Sequence, residues 1–178
     1  MLNRGILVMG VCGVGKSTVA RAIADRIGGR FLEADEFHSV ANVRAMSRGT
    51  PLTDEMRADW LDAIGGAARA CREQGEAPVV LACSALKRRY RDKLAGALSP
   101  MFVVHLTGDP ALIRNRLIAR KNHFMPPELL DSQLHDLEPL AADEGGVTVD
   151  IAASAEEIAA RVVTLIERGE TDGTELHP

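Results

Sequence analysis

Gly10-Val11-Cys12-Gly13-Val14-Gly15-Lys16-Ser17 is the stretch on which the reading of this chain turns. The apolar run Ile6-Leu7-Val8-Met9 leads into it and a helix-like pattern follows, so the local order is strand, phosphate-binding loop, helix. Glycines at this spacing let successive backbone N–H groups turn toward the β- and γ-phosphates of a nucleotide, which then also lie at a helix N-terminus. Lys16 supplies a mobile positive charge to those phosphates, and the Ser17 hydroxyl is of the type that ligates Mg²⁺. A nucleotide site is expected here.

Beyond this loop, short β-rich runs alternate with helical patterns. The strand candidates are Ile6–Met9, Phe31–Ala34, Val79–Cys83, Phe102–Leu106 and Val147–Ile151. Helices are expected over Lys16–Ile27, Asp54–Arg72, Lys87–Ala97, Pro110–Lys121, Pro127–Leu137 and Ala155–Glu167, with Thr53 and Ser154 as N-caps. Such alternation predicts an α/β fold with a parallel sheet flanked by helices. Residues 169–178 are polar and without periodicity, and read as a frayed tail after one domain over residues 1–168.

Composition narrows the function classes. At 178 residues with 46% hydrophobic content the chain can bury a proper core, and no apolar run reaches the length of a membrane span. Met1–Arg4 leads straight into the first strand, which leaves no room for a signal peptide and predicts a cytoplasmic location. Cys12, Cys71 and Cys83 are scattered and odd in number, a pattern of free thiols rather than of disulfides or a zinc site. Net charge of −4 gives no general attraction to nucleic acid or an anionic membrane. The basic run Lys87, Arg88, Arg89, Arg91, Lys93 lacks interleaved aromatics and reads as a solvated helix face.

In an open parallel sheet, ligands bind beyond the carboxyl ends of the strands. Asp35–His38, Ser84–Lys87 and Asp109 fall at such ends and converge with the phosphate loop. An aspartate at the position of Asp35 can accept or orient the proton of an attacking hydroxyl while the loop holds the leaving nucleotide. If the segment beyond it is helical, His38 and Asn42 share a face at i, i+4.

Three further stretches carry a family resemblance: Ala34–Leu61 (ADEFHSVANVRAMSRGTPLTDEMRADWL), Cys83–Leu94 (CSALKRRYRDKL) and Arg116–Leu140 (RLIARKNHFMPPELLDSQLHDLEPL). With the phosphate loop, the four motifs resemble bacterial-type gluconokinases, and the likeness runs from about Gly5 to Glu167. The resemblance implies a P-loop NTPase fold like that of shikimate and nucleoside monophosphate kinases, with a five-stranded parallel sheet and a mobile lid at about residues 116–140. It implies phosphoryl transfer from ATP to D-gluconate with Mg²⁺, and a homodimer. Lys16, Ser17 and Thr18 resemble the phosphate and metal contacts; Asp35, His38, Asn42 and Arg57 resemble the acceptor side; Ser84–Lys87 resembles the third-strand loop. Arg116, Arg120 and His123 resemble the lid, with Gln133 beside it.

The acceptor's chemistry fits these types. Its carboxylate calls for Arg57, Lys87, Arg120 or His123, and its hydroxyls for short polar groups such as Asn42 and Ser84. Arg116 and Arg120 have a second candidate role, stabilising charge on the transferring phosphoryl group. Adenine is expected near Arg116 or the loop after Val147–Ile151. The chain departs from the family pattern at Cys12 and Val14, where small polar residues are usual, at Ala45 in place of lysine, and at Met56 and Ala58-Asp59. Cys12, beside a helix N-terminus, is expected to be sensitive to thiol modification. The rival readings are a kinase for another small hydroxy acid and a nucleotide-dependent switch. The chain lacks an NKxD guanine motif.

Overall fold

Strand β1, Gly5–Met9, is buried along its whole length, as a strand between two parallel neighbours with helices on both faces must be. The computed structural model describes residues 5–75, 77–119 and 129–169 and the backbone of 174–176. In chain order the elements after β1 are α1 (Lys16–Ile27), β2 (Arg30–Glu33), α2 (Val40–Ser47), α3 (Asp54–Glu73) and β3 (Val79–Ala82). There follow α4 (Arg88–Leu98), β4 (Met101–Thr107), α5 (Pro110–Ala119), α6 (Leu129–Asp136), β5 (Gly146–Asp150), α7 (Ala155–Arg168) and β6 (Thr174–Leu176). The sheet order is β2-β3-β1-β4-β5-β6, every pairing parallel.

The period-two alternation of β1 divides the core. Ile6 and Val8 face the layer containing Val19, Ile23, Ile113, Leu117, Ile158 and Val162 of α1, α5 and α7. Leu7 and Met9 face Trp60, Leu61, Ile64, Tyr90, Leu94 and Leu98 of α3 and α4. Each fully buried Leu or Ile contributes about 1.5–3 kcal/mol of transfer free energy, so the two layers fix the strand register firmly. Polar signals set the helix ends. Thr53 accepts a hydrogen bond from Met56 N–H, and Ser154 and Glu157 form a reciprocal capping box.

The five expected strands and six expected helices are all present, with described ends shifted by a residue or two; the expected end of α5 at Lys121 and start of α6 at Pro127 lie outside the described residues. Three features differ from expectation. The tail is not wholly frayed: β6 adds a sixth strand, pairing Val147, Thr148 and Val149 with Thr174, Glu175 and Leu176. The exposed backbone groups of an edge strand recruit it, and backbone pairing demands no apolar period. Secondly, Ala34–Phe37 is a 3-10 turn and α2 starts only at Val40, capped by Ser39. His38 therefore lies before the helix and shares no helical face with Asn42. Thirdly, the basic run is not simply solvated. Arg88 pairs with Asp92 and Asp143, Arg89 and Lys87 with Asp54, Lys93 with Asp62, and the fully buried Arg91 with Glu144 at 2.5 Å.

Arg91 also donates to the carbonyls of Ala85, Leu86, Glu138 and Pro139, tying the loop after β3 to the segment after α6. Ala85 in that loop takes a left-handed conformation, φ 41°, unusual for a residue with a Cβ. Beside this network lies His105 on β4, 3% exposed, with neither ring nitrogen hydrogen-bonded among the described residues. Burial first, then the neighbouring Arg91 charge, push its pKa down to about 4. No helix among the described residues is long and apolar enough to cross a membrane.

Candidate active site

The turn from β1 into α1 depends on glycine at two places. Gly10 has φ +138°, and a Cβ there would sit 2.6 Å from the Leu106 carbonyl oxygen; Gly13 has φ +86°, with Leu117 Cγ 2.8 Å from where its Cβ would be. Gly15 then caps α1 in the left-handed conformation without a side-chain bond, so the first N–H groups of the helix face the cleft. Val11, Cys12 and Val14 send their side chains into the apolar layer beneath, each at most 5% exposed. This explains why the loop carries apolar residues where small polar ones were expected: the loop offers backbone groups to the cleft and side chains to the core. Lys16 Nζ donates to Val11 O at 3.0 Å, and Cys12 N–H donates to Gln133 Oε1 at 2.7 Å.

The carboxyl end of β2 faces this loop. Glu33, which the sequence reading passed over, hydrogen-bonds Ser17 and lies within electrostatic reach of Lys16 and Asp35. Burial raises its pKa, Asp35 adds to the rise, and Ser17 and Lys16 oppose it. Its two-residue spacing from Asp35 at a strand end was the available signal. Ser17, Glu33 and Asp35 all carry hard oxygen donors, the type of atom that Mg²⁺ prefers.

A cleft partly open to solvent extends from the loop. It is lined by Cys12, Gly13, Gly15, Lys16 and Ser17 of the phosphate loop, by Asp35, His38, Arg57 and Trp60, and by Ser84, Leu86, Ser132 and Gln133. Met46, Leu52 and Leu129 close it as a small apolar cluster joining α2 to α6.

His38 stacks on Trp60 at 4.4 Å between ring centroids, and its Nε2 is 3.9 Å from Asp35 Oδ1. Trp60 is itself fixed by donating to Ala34 O at 2.8 Å. Burial lowers the His38 pKa, and Arg57 lowers it further against the opposing pull of Asp35, so at neutral pH the ring is an uncharged partner to Asp35. Arg57 donates to Tyr90 Oη at 3.4 Å and lies 4.0 Å from Asp54 and 3.9 Å from Asp136. Asp54 gathers Lys87, Arg89 and the Tyr90 hydroxyl around it. The Tyr90 bond, then those to Arg89 and Lys87, hold its pKa down at about 2.

The AAA domain family matches residues 6–140. A probable gluconokinase of Mus musculus is 41% identical over 179 residues, covering 91% of this chain and 97% of that protein. The gluconokinase of Gluconobacter oxydans is 45% identical over 146 residues, 82% of each chain. The chain belongs to the gluconokinase family. The crystal structure of a gluconokinase from Sinorhizobium meliloti superposes with a TM-score of 0.81 at 42% identity, covering 94% of this chain and 93% of that one.

Within this gluconokinase-family cleft, Lys16, Ser17, Asp35, His38, Arg57, Ser84 and Gln133 come together as the sequence suggested. Lys87 and Asn42 do not line it. Lys87 turns to Asp54 and Asp136, and the buried Asn42 donates to Met56 O at 3.0 Å, bracing α2 on α3. Arg116 donates to Ile151 O at 3.2 Å, which joins α5 to the loop after β5, the two places where adenine was expected. Arg120 and His123 lie outside the described residues. Besides Glu33, sequence reasoning missed Asp54, Tyr90 and Asp136; their common signal is contact across α3, α4 and α6, which no local spacing encodes.

Proposed function

We propose that this chain transfers the γ-phosphoryl group of ATP to the 6-hydroxyl of D-gluconate, giving ADP and 6-phospho-D-gluconate. The observation that carries this reading is one cleft lined both by the phosphate loop and by Asp35, His38 and Arg57. The acceptor oxygen attacks the γ-phosphorus, the bond to the β,γ-bridging oxygen breaks, and the hydroxyl proton passes to Asp35, which lies beside the uncharged His38. Lys16, released from Val11 O, and the N–H groups at the start of α1 hold the phosphoryl oxygens as charge develops on them. Ser17, with Glu33 and Asp35 nearby, would hold Mg²⁺. When bound, that ion neutralises phosphate charge.

Arg57 suits the acceptor's carboxylate because its planar fork can bind both oxygens at once. Ser84 lines the same cleft, and its short hydroxyl suits recognition of the acceptor's hydroxyls. Family membership further supports a homodimer in the cytoplasm, to be checked by light scattering and fractionation. Asp35→Asn should lower kcat by about 10²–10⁴-fold with nucleotide affinity largely kept. Wild-type turnover in that variant would refute the role of Asp35, and a selective loss of Mg·ATP affinity would make Asp35 a metal-site residue instead.

A further inference from the structure

One short helix reaches both the phosphate loop and the cations Arg57 and Lys87. On α6, Gln133 accepts the hydrogen bond of Cys12 N–H in the phosphate loop. Asp136, three residues on and so on the same helical face, lies 3.9 Å from both Arg57 and Lys87. The buried Leu129 and Leu130 seat the start of the same helix. Among the described residues, Arg57, Lys87 and Arg89 form their ion pairs with the carboxylates Asp54 and Asp136, and Asp54 is already committed to Tyr90 and the other cations. Asp136 is the loosely held member: both of its ion pairs are longer than a hydrogen bond, so its carboxylate balances charge without directional bonds.

We propose that Asp136 stands in for the acceptor's carboxylate in the unliganded protein, and that exchange of one for the other couples acceptor binding to the phosphate loop through Gln133. The inference rests on the reading of Arg57 as the carboxylate's partner. An incoming carboxylate that engages the Arg57 fork at hydrogen-bond distance makes a stronger pair than Asp136 does and displaces it. α6 then loses its hold at the acceptor end, Gln133 relaxes from Cys12 N–H, and the loop is freed to receive phosphate oxygens. By linkage the effect is reciprocal, so acceptor and nucleotide strengthen each other's binding. Asp136 is on this view a positioning and specificity residue, not a catalytic one.

The test is calorimetric titration of the full-length protein with Mg²⁺ and β,γ-imido-ATP, with and without saturating D-gluconate. In the wild type, gluconate should tighten nucleotide binding about fivefold or more. In Asp136→Asn the unneutralised cations should bind gluconate alone several-fold more tightly, while the tightening of nucleotide by gluconate falls below about twofold. Asp136→Glu, which keeps the charge, should restore the coupling, an outcome that mere support of the helix would not give. A wild type without coupling, or Asp136→Asn with wild-type coupling and unimproved gluconate affinity, overturns the role of Asp136. Arg57→Leu separates the two levels of inference. If that variant binds gluconate like the wild type, the acceptor assignment itself falls and the role of Asp136 with it. If it loses gluconate while Asp136→Asn behaves as wild type, only the role of Asp136 falls.

Discussion

The phosphate end and the acceptor end of the cleft are built on opposite plans. Nine consecutive residues, Gly10–Thr18, make the first, and they do so with backbone: left-handed glycines expose N–H groups while Val11, Cys12 and Val14 anchor the loop from below. The second is made by side chains from the turn after β2 and from α3, α4 and α6, with cations and carboxylates neutralising one another before any substrate arrives. A backbone cradle suits a cosubstrate whose phosphates are recognised by shape and charge. A mutually compensated set of side chains suits selection among acceptors, because its charge balance can be changed one residue at a time.

Substitutions should separate these plans. The largest effect is expected at the phosphate end: Lys16→Ala should cut kcat by at least about 10²–10³-fold whichever acceptor is offered, since it removes charge stabilisation common to all of them. Steady-state kinetics with saturating Mg·ATP checks this, and near-normal turnover would break the comparison at its first term. At the acceptor end, Arg57→Leu should raise KM for gluconate by about 10–100-fold while KM for ATP stays within a few-fold, the loss of one charged hydrogen-bonding partner. A parallel rise in both constants would show that the two ends are not separately built.

The smallest effect concerns the buried His105, which lies within electrostatic reach of Arg91 and Glu144. Its folded pKa lies below the value near 6.5 of an unfolded chain, so the unfolded state binds the proton more readily. Stability should therefore fall as pH drops below about 6.5 and level off, for this group, below about 4, by a total of about 3 kcal/mol. His105→Leu should flatten that part of the curve, leaving the weaker slope of His38, which shifts in the same direction. Denaturant titrations at pH 7 and pH 5 measure it; an unchanged pH dependence in the variant would mean that His105 is not the titrating group.

The same contrast governs what could be read from the sequence. The five central strands, α1 and the phosphate loop were legible because apolar alternation and glycine spacing are local quantities. That Asp35 and His38 line the cleft was legible from their place after β2, and that Arg57 does was legible from the family resemblance. The expected shared face of His38 and Asn42 was not legible because a serine N-cap starts α2 only at Val40, and the Asn42 amide donates to Met56 O. β6 was invisible because backbone pairing at a sheet edge leaves no periodic mark. Asp54, Tyr90 and Asp136 were invisible because their meaning is a distance between helices.

The central claim, that these two ends serve one phosphoryl transfer to a sugar acid, is tested most directly by ADP release. The assay offers Mg·ATP with D-gluconate, other aldonic acids and shikimate in turn. Strong stimulation by D-gluconate, accompanied by a product phosphorylated at the 6-hydroxyl, is the expected result. Stimulation by another acid instead would contradict the acceptor assignment, and ADP release indifferent to every acid would contradict the transfer reaction itself.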